Sequence, residues 1–415
     1  MLIRHNLHIP LALCLFAAVM AGCGDEEISG SGEPFANATG GLNRAGNYSH
    51  ASIDAPTYFA EMRFDSLGAG FLGTPLPTSY DRVVVVTSDR RLAAIAYNMT
   101  EWTYQFPAEE YPLQELACDE EGTVYAVTTN RTLIAVDSAG KQRWRATLHS
   151  EDSAGRFDLP TAPLVIPNGV VAGSTNGELV RFDRSGTQIW AMRRGAELLR
   201  TIAFSPEFGI VCGLTHNSYK SADTLLSVNE DGSQNWALPF PGMRIECGPA
   251  IIGKNVVVGV AGKDTNGRYQ PFLLAVDPEG KEQWRTSLPV LPLGLAGDDD
   301  GYIYLNSGGG SRMGGGRVFS FSARGEILWD ISLPSSIPSR PVVSAEWICF
   351  TAYRNQTFGL YTYNREGTFV SFTPIDILSD VNPVPVILPH GSIVLSAQDE
   401  PVFLRNASRG VFDFL

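Results

Sequence analysis

Two acidic segments come closest, in residue type and spacing, to a site that could do chemistry. Asp298–Gly301, with three consecutive aspartates, reads as half of a calcium-binding loop, because carboxylate oxygens are the ligands that Ca²⁺ prefers. Asp119–Gly122 has a similar composition and stands at an equivalent place elsewhere in the chain. A segment that recurs in this way is typical of a turn between strands. We therefore expect turns with solvated acids at both places, and no metal site.

No other segment carries a specific catalytic or cofactor signature. Gly68, Gly70 and Gly73 match the dinucleotide-binding fingerprint by letter, but no helix-forming run follows them. The histidines after residue 23 are scattered through predicted loops, at His50, His149, His216 and His390. The sequence has no metalloprotease motif, no Gly-x-Ser-x-Gly motif and no phosphate-binding loop. It therefore predicts no catalytic residue, no metal and no cofactor.

The cysteines after residue 23 are Cys118, Cys212, Cys247 and Cys349. They form no Cys-x-x-Cys pair and no haem-attachment motif, which argues against a zinc or redox site. Each lies in an apolar, strand-like stretch, and this favours buried single thiols. Export to an oxidising compartment would permit a disulfide, an alternative that the sequence leaves open.

Composition excludes two classes of protein. The chain has 415 residues and is 44% hydrophobic, which is enough for a packed core and argues against general disorder. Its 31 basic and 44 acidic residues give a net charge of −13. A nucleic-acid-binding protein needs a basic surface, so this charge argues against one.

The N-terminus has the pattern of an export signal. Arg4 precedes an apolar run from Ile9 to Met20, which is too short to span a bilayer. The run ends in Met-Ala-Gly-Cys, which resembles the lipobox of bacterial lipoproteins and marks Cys23 for lipidation. An ordinary signal peptide with Cys23 incidental is the alternative. We expect a signal peptide over residues 1–22, lipidated Cys23 with a flexible tether over 23–50, and a folded domain over 51–415.

A tryptophan series defines an internal repeat in the body of the chain. The residues are Trp102, Trp144, Trp190, Trp236, Trp284 and Trp329, at intervals of 42, 46, 46, 48 and 45. Around them recurs the pattern Leu-x-Ala-x-Asp-x-x-Gly-x-x-x-Trp, as in Leu133–Trp144 and Leu273–Trp284. The seventh copy, Leu360–Ser371, has serine in place of tryptophan, and a degenerate eighth copy ends near Phe412. Periods of 40–50 residues indicate a propeller or a solenoid.

Each repeat predicts four short strands. An apolar strand ends at Asp, Asn or Ser, whose side chain can cap a turn, and a glycine three residues later can take a positive φ. The strand that follows carries the tryptophan. Two further strands precede this pair in each copy. The sequence thus predicts an all-β fold, an eight-bladed β-propeller with four-stranded antiparallel blades. Residues 57–64 or Gly410–Leu415 could close the ring.

The repeat resembles the tryptophan-docking repeat of pyrroloquinoline-quinone (PQQ)-type β-propellers, over roughly residues 75–415. The resemblance implies that the six tryptophans are buried wedges between blades. That family contains both quinoprotein dehydrogenases and non-catalytic scaffolds. The sequence has no adjacent cysteines, and no segment aligns with the dehydrogenases' cofactor or calcium ligands. By length, lipobox and blade count, the chain is more similar to the propeller lipoproteins of the outer-membrane β-barrel assembly machinery.

Three consecutive copies have lengthened segments between their second and third strands, at Thr215–Thr224, Gly262–Pro271 and Gly308–Arg317. We expect these loops to form one basic, aromatic patch on one face, since Tyr and Arg are common interface anchors. The candidate partner-binding residues are Tyr219, Lys220, Lys263, Arg268, Tyr269, Arg312, Met313 and Arg317. Arg200, Arg244 and Arg340 precede first strands and are candidates for lining an axial channel. Chance drift of loops and ordinary surface charge are the alternatives.

These features favour a non-catalytic, lipid-anchored and monomeric scaffold that binds other envelope proteins through one propeller face. A quinoprotein-like dehydrogenase with unrecognised ligands, or a receptor for a small sugar or anion, is the alternative. Gly24 after Cys23 lacks the acidic residue of the common inner-membrane retention signal, which favours the outer membrane. The sequence names neither the partner nor the membrane leaflet.

Overall fold

The computed structural model describes residues 47–48, 59–63, 69–79, 82–96, 99–113, 115–148, 161–174, 177–194, 197–215, 222–263, 267–308, 315–333, 337–375, 383–388, 391–396 and 401–406. All of them belong to one compact unit, residues 33–415. Their regular secondary structure consists of β-strands. Among these residues, none forms a helix of the length and apolarity that a membrane crossing requires.

The strands follow the repeat. Two short strands come first, β1 (Asn47–Tyr48) and β2 (Phe59–Arg63). Seven antiparallel sheets of four consecutive strands come next: β3 (Phe71–Pro77), β4 (Arg82–Thr87), β5 (Arg91–Ala96) and β6 (Met99–Gln105); β7 (Ala117–Cys118), β8 (Val124–Val127), β9 (Thr132–Val136) and β10 (Gln142–Thr147); β11 (Leu164–Ile166), β12 (Gly169–Gly173), β13 (Glu178–Phe182) and β14 (Gln188–Arg193); β15 (Glu197–Ser205), β16 (Gly209–Thr215), β17 (Asp223–Val228) and β18 (Gln234–Phe240); β19 (Met243–Ile252), β20 (Asn255–Lys263), β21 (Tyr269–Val276) and β22 (Glu282–Ser287); β23 (Pro292–Gly297), β24 (Ile303–Gly308), β25 (Gly316–Phe321) and β26 (Ile327–Leu333); β27 (Val342–Ser344), β28 (Trp347–Arg354), β29 (Thr357–Asn364) and β30 (Phe369–Pro374).

The last sheet combines both ends of the chain. It contains β31 (Val386–Ile387), β32 (Ile393–Ser396) and β33 (Pro401–Asn406), and β2 pairs antiparallel with β33 as its fourth strand. The prediction of eight blades needs a correction, because seven blades are built from consecutive strands and the remaining sheet is a composite of both chain ends. Of the two candidate closing segments, the one within 57–64 forms this pairing; 410–415, with Phe412, lies outside the described residues.

The order of strands places the tryptophan strand outermost. First strands of successive sheets contact one another, as β11 contacts β15 and β19 contacts β23, so they surround the axis. β31 and β32 contact β3, and β31 contacts β27, which places the composite sheet between the last and the first of the seven. Fourth strands such as β10 alternate exposed and half-buried residues, as expected for an outer edge.

The antiparallel order also distinguishes two faces of the ring. The loop face carries the connections between consecutive sheets and the loops between second and third strands. The turn face carries the remaining turns, which join first to second and third to fourth strands. Asp137 illustrates the latter: its carboxylate accepts backbone N–H groups of Ala139 and Lys141, and Gly140 follows with φ of 81°. The predicted Asp-x-x-Gly turn chemistry therefore lies on the turn face.

Candidate functional site

The tryptophan side chains join each blade to the next. Five indole N–H groups donate to a backbone carbonyl in the following repeat, always two residues before the turn glycine: Trp144 to Arg184, Trp190 to Glu230, Trp236 to Pro278 and Trp329 to Arg365 at 2.8 Å, and Trp284 to Ala323 at 3.0 Å. The Nε1 of Trp102 has no hydrogen-bond partner among the described residues. These contacts act between blades, which is a structural role.

The indole rings lie against the turn glycines themselves. A Cβ built on Gly186 would stand 2.6 Å from the ring of Trp144, and one on Gly325 would stand 2.4 Å from that of Trp284. The expectation of buried tryptophans holds for one of the six residues, however. Trp236 is 9% exposed and the other five are only half-buried, because they sit on the outermost strand, where one edge of the ring meets solvent.

The acidic segments are turns, but their first aspartates are not solvated. Asp119 is 4% exposed. It accepts the backbone N–H of Thr123 at 2.8 Å and the hydroxyl of Tyr125 at 2.9 Å. Arg184 of the next blade places its Nη1 3.2 Å from the same carboxylate, and its Nη2 2.6 Å from Glu120. Since the carbonyl of Arg184 also accepts the indole of Trp144, this arginine holds two blades together.

Asp298 repeats this arrangement four blades later. It is 2% exposed, and its carboxylate lies 3.0 Å from Nη1 of Arg365 in the next blade. Arg365 also donates to the carbonyl of Ser344 at 3.2 Å, and its own carbonyl accepts the indole of Trp329. Burial raises the pKa of the Asp298 carboxyl, and Arg365 opposes that rise. The segment that resembled half a calcium loop is therefore an inter-blade ion pair.

Removing the arginine of this pair should make stability strongly dependent on pH. Burial already favours the protonated form of Asp298, so its contribution to stability is present at low pH and is lost as pH rises through its raised pKa. Arg365→Met should lower the free energy of unfolding by about 2–3 kcal/mol at about pH 7.5, where an unpaired buried carboxylate remains. The loss should be smaller near about pH 5, where Asp298 can take up a proton.

Thermal unfolding at both pH values measures this effect. Arg324→Met is the matched control, because Arg324 is an exposed arginine in the equivalent turn of the preceding repeat. Equal losses at the two pH values for Arg365→Met would contradict the assignment.

The thiols lie in the interior of the protein. Cys118, Cys212, Cys247 and Cys349 are free and buried. Burial raises the pKa of Cys212, Cys247 and Cys349 to about 12, and it raises that of Cys118 as well. Within the described part of the chain, no group of three or more His, Cys, Asp or Glu side chains is arranged to hold a metal ion.

The structure places four of the eight candidate partner-binding residues. Tyr219, Lys220, Arg312 and Met313 lie outside the described residues. Lys263, Arg268 and Tyr269 are exposed around the β20–β21 loop, and Tyr269 is 56% exposed. Arg317 is engaged within its own blade, where it forms an ion pair with Asp330 and stacks 5.0 Å from the ring centroid of Phe319.

Two apolar residues on the same face were missed by the sequence analysis. Leu293 is the second residue of the first strand β23 and is 40% exposed, and Ile337 precedes β27 and is 43% exposed. The two residues flank the β24–β25 loop, since Leu293 would contact a Cβ on Gly308 and Ile337 one on Gly316. We call Lys263, Arg268, Tyr269, Leu293 and Ile337 the docking surface. Their positions at or before the first strands of consecutive repeats are the signal that could have found Leu293 and Ile337.

Of the three candidate axial arginines, which were predicted to precede first strands, Arg340 does so and Arg200 and Arg244 lie within first strands. Arg244 belongs to β19 and is exposed, with Glu246 two residues further along the same strand. Arg340 precedes β27, and its Cβ and Cγ approach Gly294 of the neighbouring first strand, β23. Arg200 belongs to β15, and its side chain lies outside the description. Arg244 and Arg340 thus stand in or before first strands, on the face that carries the docking surface.

Comparison with known proteins adds a family match for part of the chain. The family described as outer membrane protein assembly factor BamB matches residues 102–263, which contain four of the six tryptophans. No curated protein matches the chain. The predicted resemblance to PQQ-type β-propellers is confirmed.

Solved structures share the fold at low sequence identity. BamB from Moraxella catarrhalis is 15% identical with a TM-score of 0.58, and the match covers 84% of this chain and 98% of that one. The WD40 domain of SCAP from fission yeast is 10% identical with a TM-score of 0.59, with the same coverage. The dihydro-heme d1 dehydrogenase NirN is 12% identical with a TM-score of 0.56, covering 79% of this chain and 75% of that one. At these identities the structures establish the fold alone.

Proposed function

We propose that this PQQ-type β-propeller, which matches the outer membrane assembly factor family over residues 102–263, is a non-catalytic protein-binding scaffold of the bacterial cell envelope. Its partner is another envelope protein, bound through the loop face. The lipobox at Cys23 and Gly24 after it support anchoring by lipid at the outer membrane. The description of the matching family, an assembly factor for outer membrane proteins, supports the same location and class of role.

The docking surface is the observation that carries this proposal. Tyr269, Leu293 and Ile337 expose large apolar side chains on one face of consecutive blades. Lys263 and Arg268 add positive charge beside them, on a chain whose net charge is −13. Exposed apolar side chains gathered in this way are typical of protein interfaces. A partner segment with apolar and acidic side chains fits this surface, and the axial arginines Arg244 and Arg340 extend it toward the centre.

Photo-crosslinking in living cells tests the proposal. A photoreactive amino acid at Tyr269 or at Leu293 should yield one reproducible protein adduct. Tyr302 is the matched control, because it is a tyrosine of the same region that is 40% exposed and lies on the turn face, between β23 and β24. We expect no corresponding adduct from Tyr302. Lys263→Glu should reduce the Tyr269 adduct severalfold, since it reverses a charge in the surface.

Two outcomes would contradict the proposal. If neither Tyr269 nor Leu293 gave an adduct, the docking surface would not be an interaction surface. Equal adducts at Tyr269 and Tyr302 would lead to the same conclusion. In either case a thermal shift on addition of small sugars or anions would point to the receptor alternative. Dye reduction that depends on added PQQ and Ca²⁺ would instead point to the dehydrogenase alternative.

A further inference from the structure

The N-terminal segment adds a fifth strand to one blade, at its innermost edge. β1 pairs in parallel with β27, Asn47 opposite Val343 and Tyr48 opposite Ser344. β27 is a first strand, and β1 lies on the side of it away from β28. Among the described residues, each of the other seven sheets has its first strand at its edge. A free edge is open to pairing with an added strand, and here the chain itself supplies that strand.

The direction of β1 follows from the direction of β27. The chain enters β27 from the connection after β26, so β27 runs from the loop face to the turn face. Because the pairing is parallel, β1 runs the same way, and Asn47 is its end nearer the loop face. The second pairing of the N-terminal segment agrees with this direction. β2 is antiparallel to the third strand β33, so β2 begins on the turn face, where β1 ends.

We infer that β1 fixes the chain at the inner edge of the β27 sheet, close to the axis of the ring, and that the chain reaches Asn47 from the loop face, which also carries the docking surface. The partner proposed for the docking surface then binds on the face from which the N-terminal segment enters. This inference rests on the proposed function for its partner, but not for its geometry.

Distances between pairs of spin labels test the geometry without any partner. One label replaces Arg44, just before β1, and the second replaces either Lys263 or Lys254. These two lysines are exposed and lie at opposite ends of the same strand region, Lys263 ending β20 on the loop face and Lys254 preceding it on the turn face. The chain from Gly24 onward suits the measurement, because it omits the expected signal peptide and Cys23, whose thiol would otherwise take a label. Its four cysteines are buried, so labels react at the introduced positions.

We expect the Arg44→Cys/Lys263→Cys distance to be shorter than the Arg44→Cys/Lys254→Cys distance by at least about 10 Å, because β20 separates the two lysines by about 30 Å. A reversed order or equal distances would overturn the inference. Asn47→Pro/Tyr48→Pro should broaden both distributions, since proline cannot donate to a sheet. Distributions that this double variant leaves unchanged would show that the pairing does not hold the tether.

The two proposals fail in different ways. The expected order of distances together with no crosslinked adduct would refute the scaffold function and leave the axial tether standing. An adduct at Tyr269 together with the reversed order of distances would support the scaffold function and refute the axial tether.

Discussion

Gly186→Ala is expected to lower the free energy of unfolding by about 3–5 kcal/mol, which combines backbone strain with a steric clash. Gly186 has φ of +86°, a conformation that alanine adopts at a cost. Its new Cβ would also stand 2.6 Å from the ring of Trp144. That ring cannot retreat freely, because its Nε1 is bonded to the carbonyl of Arg184. Urea or thermal unfolding measures the loss.

Gly242→Ala separates the two causes. Gly242 has φ of +72°, and a Cβ there would meet nothing within 4 Å. This control should lose only the backbone part, about 1–2 kcal/mol. If both variants lost the same free energy of unfolding, the contact between Trp144 and Gly186 would contribute nothing to stability. The interpretation of the tryptophans as inter-blade contacts would then be wrong.

Trp144→Ala is expected to cost about 3–5 kcal/mol, the usual range for truncating a large aromatic side chain in a packed site. The indole lies 5.8 Å from the ring of Tyr125 in its own blade and 6.3 Å from that of Phe182 in the next. Its removal leaves a cavity between two blades and an unpaired carbonyl at Arg184. The measurement is again the unfolding free energy.

Combining the two changes gives the sharpest result. In the Trp144→Ala background, Gly186→Ala should lose only its backbone part, about 1–2 kcal/mol, because the ring that it would strike is gone. Full additivity of the single losses would contradict direct contact.

Trp102→Phe offers a further comparison with Trp144→Phe. The Nε1 of Trp102 has no described partner, so only Trp144→Phe should lose a hydrogen bond, worth about 1 kcal/mol.

The role of the turn glycine was only partly predictable from the sequence. Its place three residues after Asp137 predicted a positive φ, and Gly140 has one. Contact with the tryptophan of the preceding repeat was not foreseen, because spacing within one repeat does not show which residues of its neighbour it meets. The same limit affected the acidic turns. Asp298 was expected to be solvated, but its partner Arg365 stands in the next repeat and becomes a neighbour only when the blades pack.

Only part of the candidate site could be predicted for a similar reason. Lys263 and Tyr269, in the lengthened segment Gly262–Pro271, are exposed. Arg317 also lies in a lengthened segment, Gly308–Arg317, but it forms an ion pair with Asp330 on the adjacent strand. Leu293 and Ile337 read as ordinary apolar residues, since exposure of a strand end depends on how its neighbours cover it.

The sequence by itself determined the all-β class, the repeat and its four-stranded unit, because alternation of apolar residues and turn chemistry act between residues close together in the chain. Only the tertiary structure decided that β2 completes the last sheet and that β1 lies at the axis. It also decided that Arg184 and Arg365 form ion pairs between neighbouring blades. These features join residues far apart in sequence. Their free energy comes from burial and pairing across blades, which no local pattern encodes.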